Sequence, residues 1–276
     1  MDDRVPIAVG GVGGSGTRVV AAILEEAGVW MGGDLNESRD NLWFTLLFKH
    51  PEILSAPEPR FGQLASLFLA AMSGTSNLTA TDVSLLNELV HDGRPQHDAA
   101  WLELRAQSLR LAIADGRRAS MWGWKEPNTH MIVEKLPLHI PRMKYIHVAR
   151  SGLDMAFSAN QNQLKLWGPA VLAGDHAATP RNSLRFWCWA HERILKIGQD
   201  LGERFLFIRF EELCQNPRKY VPLILSFAGT PASQELVDRT VRLVEPPASI
   251  GRFADRRLTE FDPEDVAYVR RLGFAA

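Results

Sequence analysis

Cysteine is scarce: the 276 residues hold two, Cys188 and Cys214. They lack the C-x-x-C spacing of a redox or zinc site and the density of a disulfide-stapled domain, so they read as buried thiols in a reducing compartment. Charge of one sign is lacking too. Lys and Arg total 31 against 32 Asp and Glu, a net charge of −1, so no overall field draws the chain to nucleic acid or an anionic membrane. No apolar run approaches the ~18 residues of a membrane-spanning helix. The first apolar run begins at Val5, and no leader is expected before it. Metal-ligand clusters, repeats and low-complexity tracts are also missing. These absences predict a cytoplasmic protein with no membrane span, nucleic acid or bound metal, and leave the oligomeric state open. The 46% hydrophobic content suffices for one sizeable core, so residues 1–276 are expected to form a single α/β domain.

Glycine, by contrast, is concentrated in one place. Val5-Pro6-Ile7-Ala8-Val9 reads as a short buried strand. Gly10-Gly11-Val12-Gly13-Gly14-Ser15-Gly16-Thr17-Arg18 is a tight loop. Val19 to Ala27 is a helix stopped by Gly28. Strand, glycine loop and helix together make a phosphate-binding device, because glycines let backbone N–H groups close on an anion beside the positive end of a helix. Three ligands fit. Gly11, Gly13 and Gly16 match the dinucleotide pattern G-x-G-x-x-G. The nucleotide-kinase loop fails, since Thr17 stands where its Lys belongs. Ser15-Gly16-Thr17-Arg18 also suits a 5′-phosphosulfate.

Val29-Trp30-Met31 is expected to be a second strand. The polar loop Gly32 to Asp40 after it brings Asp34, Glu37 and Asp40 toward the same edge, because loops beyond the strand C-termini of a parallel sheet line the ligand crevice. Asn41 to Lys49 reads as a helix. Residues 50–118 read as a helical insertion, with helices over Phe61–Met72 and Ala99–Ala114 and a polar linker from Ser73 to Asp98. Further strands are expected over Ser120–Lys125, Met143–Ala149 and Arg204–Phe210, separated by helices over Asn128–Leu136, Gly152–Leu166 and Arg181–Asp200. Such alternation means a parallel sheet flanked by helices, a three-layer P-loop-like fold. Trp43, Phe44, Trp101 and Trp167 suit either an acceptor surface or the core. His147 and His191 read as structural.

Arg150 ends a strand and Ser158 follows eight positions later, an arginine and a hydroxyl suited to a second anion site near a helix start. Here the chain resembles the sulfotransferase superfamily, in its bacterial-type members with features of the heparan-type and trehalose-type enzymes. Tyr145-Ile146-His147-Val148-Ala149-Arg150 through Ser158 is similar to the family's element for the 3′-phosphate of 3′-phosphoadenosine 5′-phosphosulfate (PAPS). Phe207-Ile208-Arg209-Phe210 followed by Asn216-Pro217 resembles its late strand, which implies Phe210 near the adenine. Gly251-Arg252-Phe253 sits where the family has a basic loop over the 3′-phosphate. The likeness runs from Val5 to about Arg252, with the middle insertion unmatched.

The resemblance implies transfer of a sulfuryl group from PAPS to a hydroxyl of a small-molecule, carbohydrate or lipid acceptor, releasing 3′-phosphoadenosine 5′-phosphate (PAP). It implies nucleotide contacts from Gly13, Gly14, Ser15, Gly16, Thr17, Arg18, Arg150, Ser158, Phe210, Gly251 and Arg252. One departure stands out: family members often carry Lys or Arg where this chain has Gly14. Arg18, or Lys125 in Trp124-Lys125-Glu126-Pro127, is expected to supply that cation. The family's base is a Glu some twenty residues past the loop, and Glu37 lies 22 past Ser15, with Asp34 and Asp40 as further choices. Two other readings stay open. One is an NAD(P)-dependent oxidoreductase using Gly11, Gly13 and Gly16, with Asp34 as ribose partner. The other is a non-catalytic nucleotide-binding protein.

Overall fold

A computed structural model describes residues 4–74, 77–94, 96–117 and 119–275. Four strands form one sheet: β1 (Ile7–Gly10), β2 (Gly123–Lys125), β3 (Lys144–Ala149) and β4 (Phe205–Arg209), all parallel, in the order β2-β1-β3-β4. The chain leaves β1 for β2 on one side and then crosses to β3 on the other. The switch point between β1 and β3 is where a parallel sheet opens a ligand crevice at its carboxyl edge.

Alternation along the strands builds a core on each face. Ile7 and Val9 of β1, Ile146 and Val148 of β3 and Ile208 of β4 pack with α1 (Thr17–Glu26) and α10 (Pro217–Phe227). Ala8 and Tyr145 point to the larger core, shared with α2 (Leu42–Phe48), α3 (Glu58–Ser73), α4 (Ala80–Val90), α5 (Ala99–Asp115) and α8 (Pro180–Leu201). Trp43, Phe44 and Trp167 are buried in that core, which leaves Trp101, half-buried, as the one of the four considered aromatics near the surface. Both cysteines are free thiols.

Several expected elements differ. Val29–Met31 is no strand: Trp30 makes one parallel bridge to Trp122, and left-handed glycines at Gly28 (φ 87°) and Gly32 (φ 115°) cut the pairing short on both sides. The supposed linker from Ser73 to Asp98 contains α4. Its start is a capping box in which the Thr79 side chain accepts from the Asp82 N–H and the Asp82 carboxylate accepts from the Thr79 N–H. Asn128–Leu136 is no α-helix: a 3-10 turn covers Pro127–Met131 and a second starts at Leu136, where the following Pro137 disfavours helical backbone. The expected helix over Gly152–Leu166 is two helices, α6 (Gly152–Ala156) and α7 (Asn162–Val171). The remaining helices are α9 (Phe210–Gln215), α11 (Gln234–Val241) and α12 (Pro263–Arg271). No helix among the described residues is long and apolar enough to cross a membrane.

Candidate active site

Each strand delivers one piece of the site at its carboxyl end. After β1, the loop turns into α1 through Gly14 and Gly16, both left-handed at φ 94°. Gly16 is the N-cap of α1 and offers no capping side chain, so the helix start is left for a ligand. A Cβ on Gly16 would lie 2.2 Å from the ring of Phe210, the first residue after β4, so that ring is seated on the loop backbone. Ser15 is almost fully buried, and its Oγ has no hydrogen-bond partner.

A cleft of about 430 Å³ opens over this loop. Gly13, Gly14, Gly16, Thr17 and Arg18 line it together with Lys125 from the end of β2, Arg150 from the end of β3 and Phe210. The structure thus brings together most of the residues singled out in the sequence. Its lining cations are Arg18, Lys49, Lys125 and Arg150, and its carboxylates are Asp40, Glu126 and Glu245, a balance that favours an anion.

Lys125 is buried, and its Nζ donates to the Ser38 carbonyl at 3.0 Å and pairs with Asp40. The Asn41 N–H donates to the Lys125 carbonyl at 2.7 Å. The 32–40 loop is therefore pinned to the end of β2, and it reaches the cleft through Ser38 and Asp40. Glu37 stands exposed on the same loop and outside the lining. Asp34 faces Arg105 of α5 at 3.1 Å.

Arg150 donates through Nη2 to the Ser249 hydroxyl at 3.0 Å, also bonds the Ser249 carbonyl, and stands 3.4 Å from Asp154. Its Nε is buried without a partner. The Asp154 carboxylate accepts from the N–H groups of Gly251 at 2.9 Å and Phe253 at 3.3 Å. The tail segment is thus tied beside the arginine. Gly251 and Arg252 are not among the residues that line the cleft, while Glu245 and Pro247 of the same tail line it. Ser158 falls just past α6, not within a helix, and its Oγ accepts from the Asn160 N–H at 3.2 Å.

Three contributors carried no sequence signal that was read. Lys49, at the end of α2, places Nζ 3.5 Å from Glu126. Glu126 is fully buried and accepts from the Asn128 N–H at 2.5 Å and Nδ2 at 2.8 Å; burial pushes its carboxyl above the usual range, against the pull of Lys49. Gln163 donates to the Gly11 carbonyl at 3.3 Å and meets His130 Nε2 at 3.1 Å, bracing the glycine loop. Glu126 stands beside the lysine that was read, and its neighbour Pro127 marks a strand end, so that pairing was the available clue. His130, His147 and His191 form a wholly buried group behind this brace. Burial lowers His130 to about 3 and His191 to about 4, and holds His147 well below its usual value, so all three are neutral at physiological pH. Among the described residues no group of three or more His, Cys, Asp and Glu is placed to hold a metal.

Fixed N–H groups, a hydroxyl and converging cations can hold a phosphate diester or anhydride and stabilise charge moving within it. The sequence matches the model of the sulfotransferase family over residues 6–234. No curated protein matches it significantly. Among solved structures, the sulfotransferase domain of the Synechococcus PCC 7002 olefin synthase covers 100% of this chain and 98% of its own, at 18% identity and a TM-score of 0.53. The sulfotransferase domain of the curacin biosynthetic pathway covers 99% of both chains, at 15% identity and a TM-score of 0.58. At these identities the two structures are likenesses of fold.

Proposed function

The chain belongs to the sulfotransferase family, and from that premise we propose that it moves a sulfuryl group from PAPS to a hydroxyl of a small-molecule, carbohydrate or lipid acceptor and releases PAP. One observation carries the reading: all four strand ends converge on a cationic cleft lined by Arg150, whose Nε is buried with no hydrogen-bond partner, and Ser15, set between the lining residues Gly14 and Gly16, holds a buried Oγ that has none either. Orphaned buried polar atoms are costly, and an anion in the cleft would complete both. The nucleotide supplies an activated sulfuryl group on a phosphate leaving group. The chain supplies position and charge. Gly13 to Thr17 and the first turn of α1 cradle the 5′-phosphate, with Arg18 at the rim. Arg150 takes the 3′-phosphate, with Ser158, Gly251 and Arg252 nearby, and Phe210 borders the base. Lys125 stabilises charge developing on the transferring group and the leaving oxygen.

The carboxylate that takes the acceptor proton comes from the 32–40 loop. Asp40 reaches the cleft beside Lys125, and Glu37, suited by its spacing, stands on the exposed rim. In single-turnover assays the residue that serves as base loses about 10²–10⁴-fold when replaced by its amide. We expect Asp40→Asn to show that loss and Glu37→Gln to stay near the unaltered rate. The reverse result assigns the base to Glu37, and loss in neither removes the loop from the chemistry.

The nucleotide itself is tested by calorimetry with PAP, AMP and NAD. PAP should bind at least about tenfold more tightly than AMP, because each charge-assisted hydrogen bond is worth roughly 1.5–3 kcal/mol. Arg150→Ala should erase that preference, with a thermal melt confirming the fold. Equal affinity for PAP and AMP would remove the 3′-phosphate site. The oxidoreductase reading is not favoured: the family match is to transferases, and Asp34, its ribose partner, is paired with Arg105.

A further inference from the structure

A second cavity, about 420 Å³, is walled by the helical insertion and α7, and shares Lys49 and Asn162 with the transfer cleft. Arg94 is its most telling residue. It is 9% exposed, and only its Nη1 has a hydrogen-bond acceptor, the Thr45 carbonyl at 3.2 Å. Its Nε and Nη2 are buried with no hydrogen-bond partner, and the Asp92 carboxylate stands off at 3.9 Å from Nε. A guanidinium presents its donors as a planar fork suited to an oxyanion, and leaving them unmet in a buried wall is costly.

The other groups of the wall do not cancel this charge. Lys49 and Lys165 also face the cavity, against Glu52 and Asp92. The Glu52 and Asp92 side chains are 76% and 42% exposed, so both are solvated, whereas Arg94 is not. Burial lowers His50 and brings His97 down to about 4, so both are uncharged at neutral pH. Arg94 itself is lowered only to about 10 and stays protonated.

Building on the sulfotransferase reading, we infer that this cavity is the acceptor subsite and that the acceptor carries an oxyanion, a carboxylate or a phosphate ester, besides its reacting hydroxyl. Arg94 and Lys165 receive the oxyanion. Lys49 and Asn162, common to both cavities, mark the passage through which the hydroxyl reaches the transfer cleft.

The test is ligand-observed NMR and calorimetry on the full chain saturated with PAP. The probes are p-hydroxybenzoate, p-hydroxyphenyl phosphate and methyl p-hydroxybenzoate, with β-hydroxybutyrate and its methyl ester as an aliphatic pair. At least one oxyanion should bind about tenfold or more tightly than its uncharged counterpart, the gain expected from one charge-assisted hydrogen bond. The tighter of carboxylate and phosphate identifies the acceptor chemistry. Arg94→Gln and Lys165→Gln should each erase the gap while PAP affinity is unchanged. Because Arg94 also holds the Thr45 carbonyl, the exposed Lys165 carries the test if the Arg94 variant does not fold. Equal binding of acid and ester, a preference that survives both substitutions, or no binding at millimolar concentrations overturns the inference. Failure to bind PAP overturns the sulfotransferase reading instead; the oxyanion preference is then measured on nucleotide-free protein, where this cavity predicts the same gap.

Discussion

Lys125→Met should lower sulfuryl-transfer turnover by about 10²–10³-fold, the loss typical of removing one preorganised charge-stabilising donor, while PAP binding stays close to that of the unaltered protein. The reason lies in the backbone of the glycine loop. Gly14 sits at φ 94°, a conformation that L side chains rarely adopt, so a cationic side chain at the loop position where the family resemblance implies one would be strained here. Lys125 reaches the same cleft from the end of β2. Its side chain is 3% exposed, supported by the buried Trp124 before it and the fully buried Glu126 after it. A cation held this way needs no reorganisation as charge develops. Arg18, the other candidate, is exposed at the rim and less fixed. Single-turnover rates set against calorimetric PAP affinities decide between them. If Lys125→Met weakens PAP binding as much as it slows transfer, the lysine is a ground-state phosphate ligand and Arg18 becomes the better candidate for the transition state.

The parts of the site that were legible in the sequence are those where the backbone demands a residue type. The glycine loop reads clearly because Gly14 and Gly16 both take positive φ at the strand-to-helix turn. Lys125 and Arg150 read clearly because β2 and β3 are buried, so the residue that closes each run marks the carboxyl edge, whereas Phe210, after the partly exposed β4, was legible only through the family resemblance. What stayed hidden depends on contacts distant in sequence. Lys49 ends a helix of core aromatics and meets Glu126 only through the packing of α2 beside β2. Asp34 is taken by Arg105, a residue of the insertion far along the chain. The break between α6 and α7 carries neither glycine nor proline, and it moves Ser158 off the helix where spacing put it. The helix α4 was missed because its apolar face is short and its start is polar, although Thr79-x-x-Asp82 is a helix-start signature in its own right. Arg94, on which the acceptor inference rests, lies just past that helix in a stretch read as a linker.

Gly16→Ala should destabilise the protein by about 2–4 kcal/mol and abolish PAP binding, by combining a disfavoured backbone with a steric collision. Gly16 has φ 94°, and a Cβ there would meet three atoms of the Phe210 ring at 2.2, 2.4 and 2.6 Å. Phe210 cannot give way cheaply, because it is 3% exposed and packed in the core between the sheet and α10. Relief must come from the loop, which moves Ser15 and the first N–H groups of α1 off the cleft. Gly28→Ala separates the two costs. Gly28 is left-handed too, at φ 87°, but nothing lies within 4 Å of its Cβ position, so only the backbone strain of about 1–2 kcal/mol applies and PAP binding should persist. Gly13→Ala is a second control inside the loop, since its Cβ meets nothing closer than Gln163 at 3.8 Å. Urea unfolding and PAP calorimetry on the three variants measure both effects. Combining Gly16→Ala with Phe210→Ala removes the collision partner, so the pair should lose less stability than the two single changes added together. Stability losses that merely add, or a Gly16→Ala protein no weaker than Gly28→Ala, would show that the ring does not seat on the loop. A Gly16→Ala protein that is destabilised yet binds PAP normally when folded would move the phosphate grip away from the start of α1.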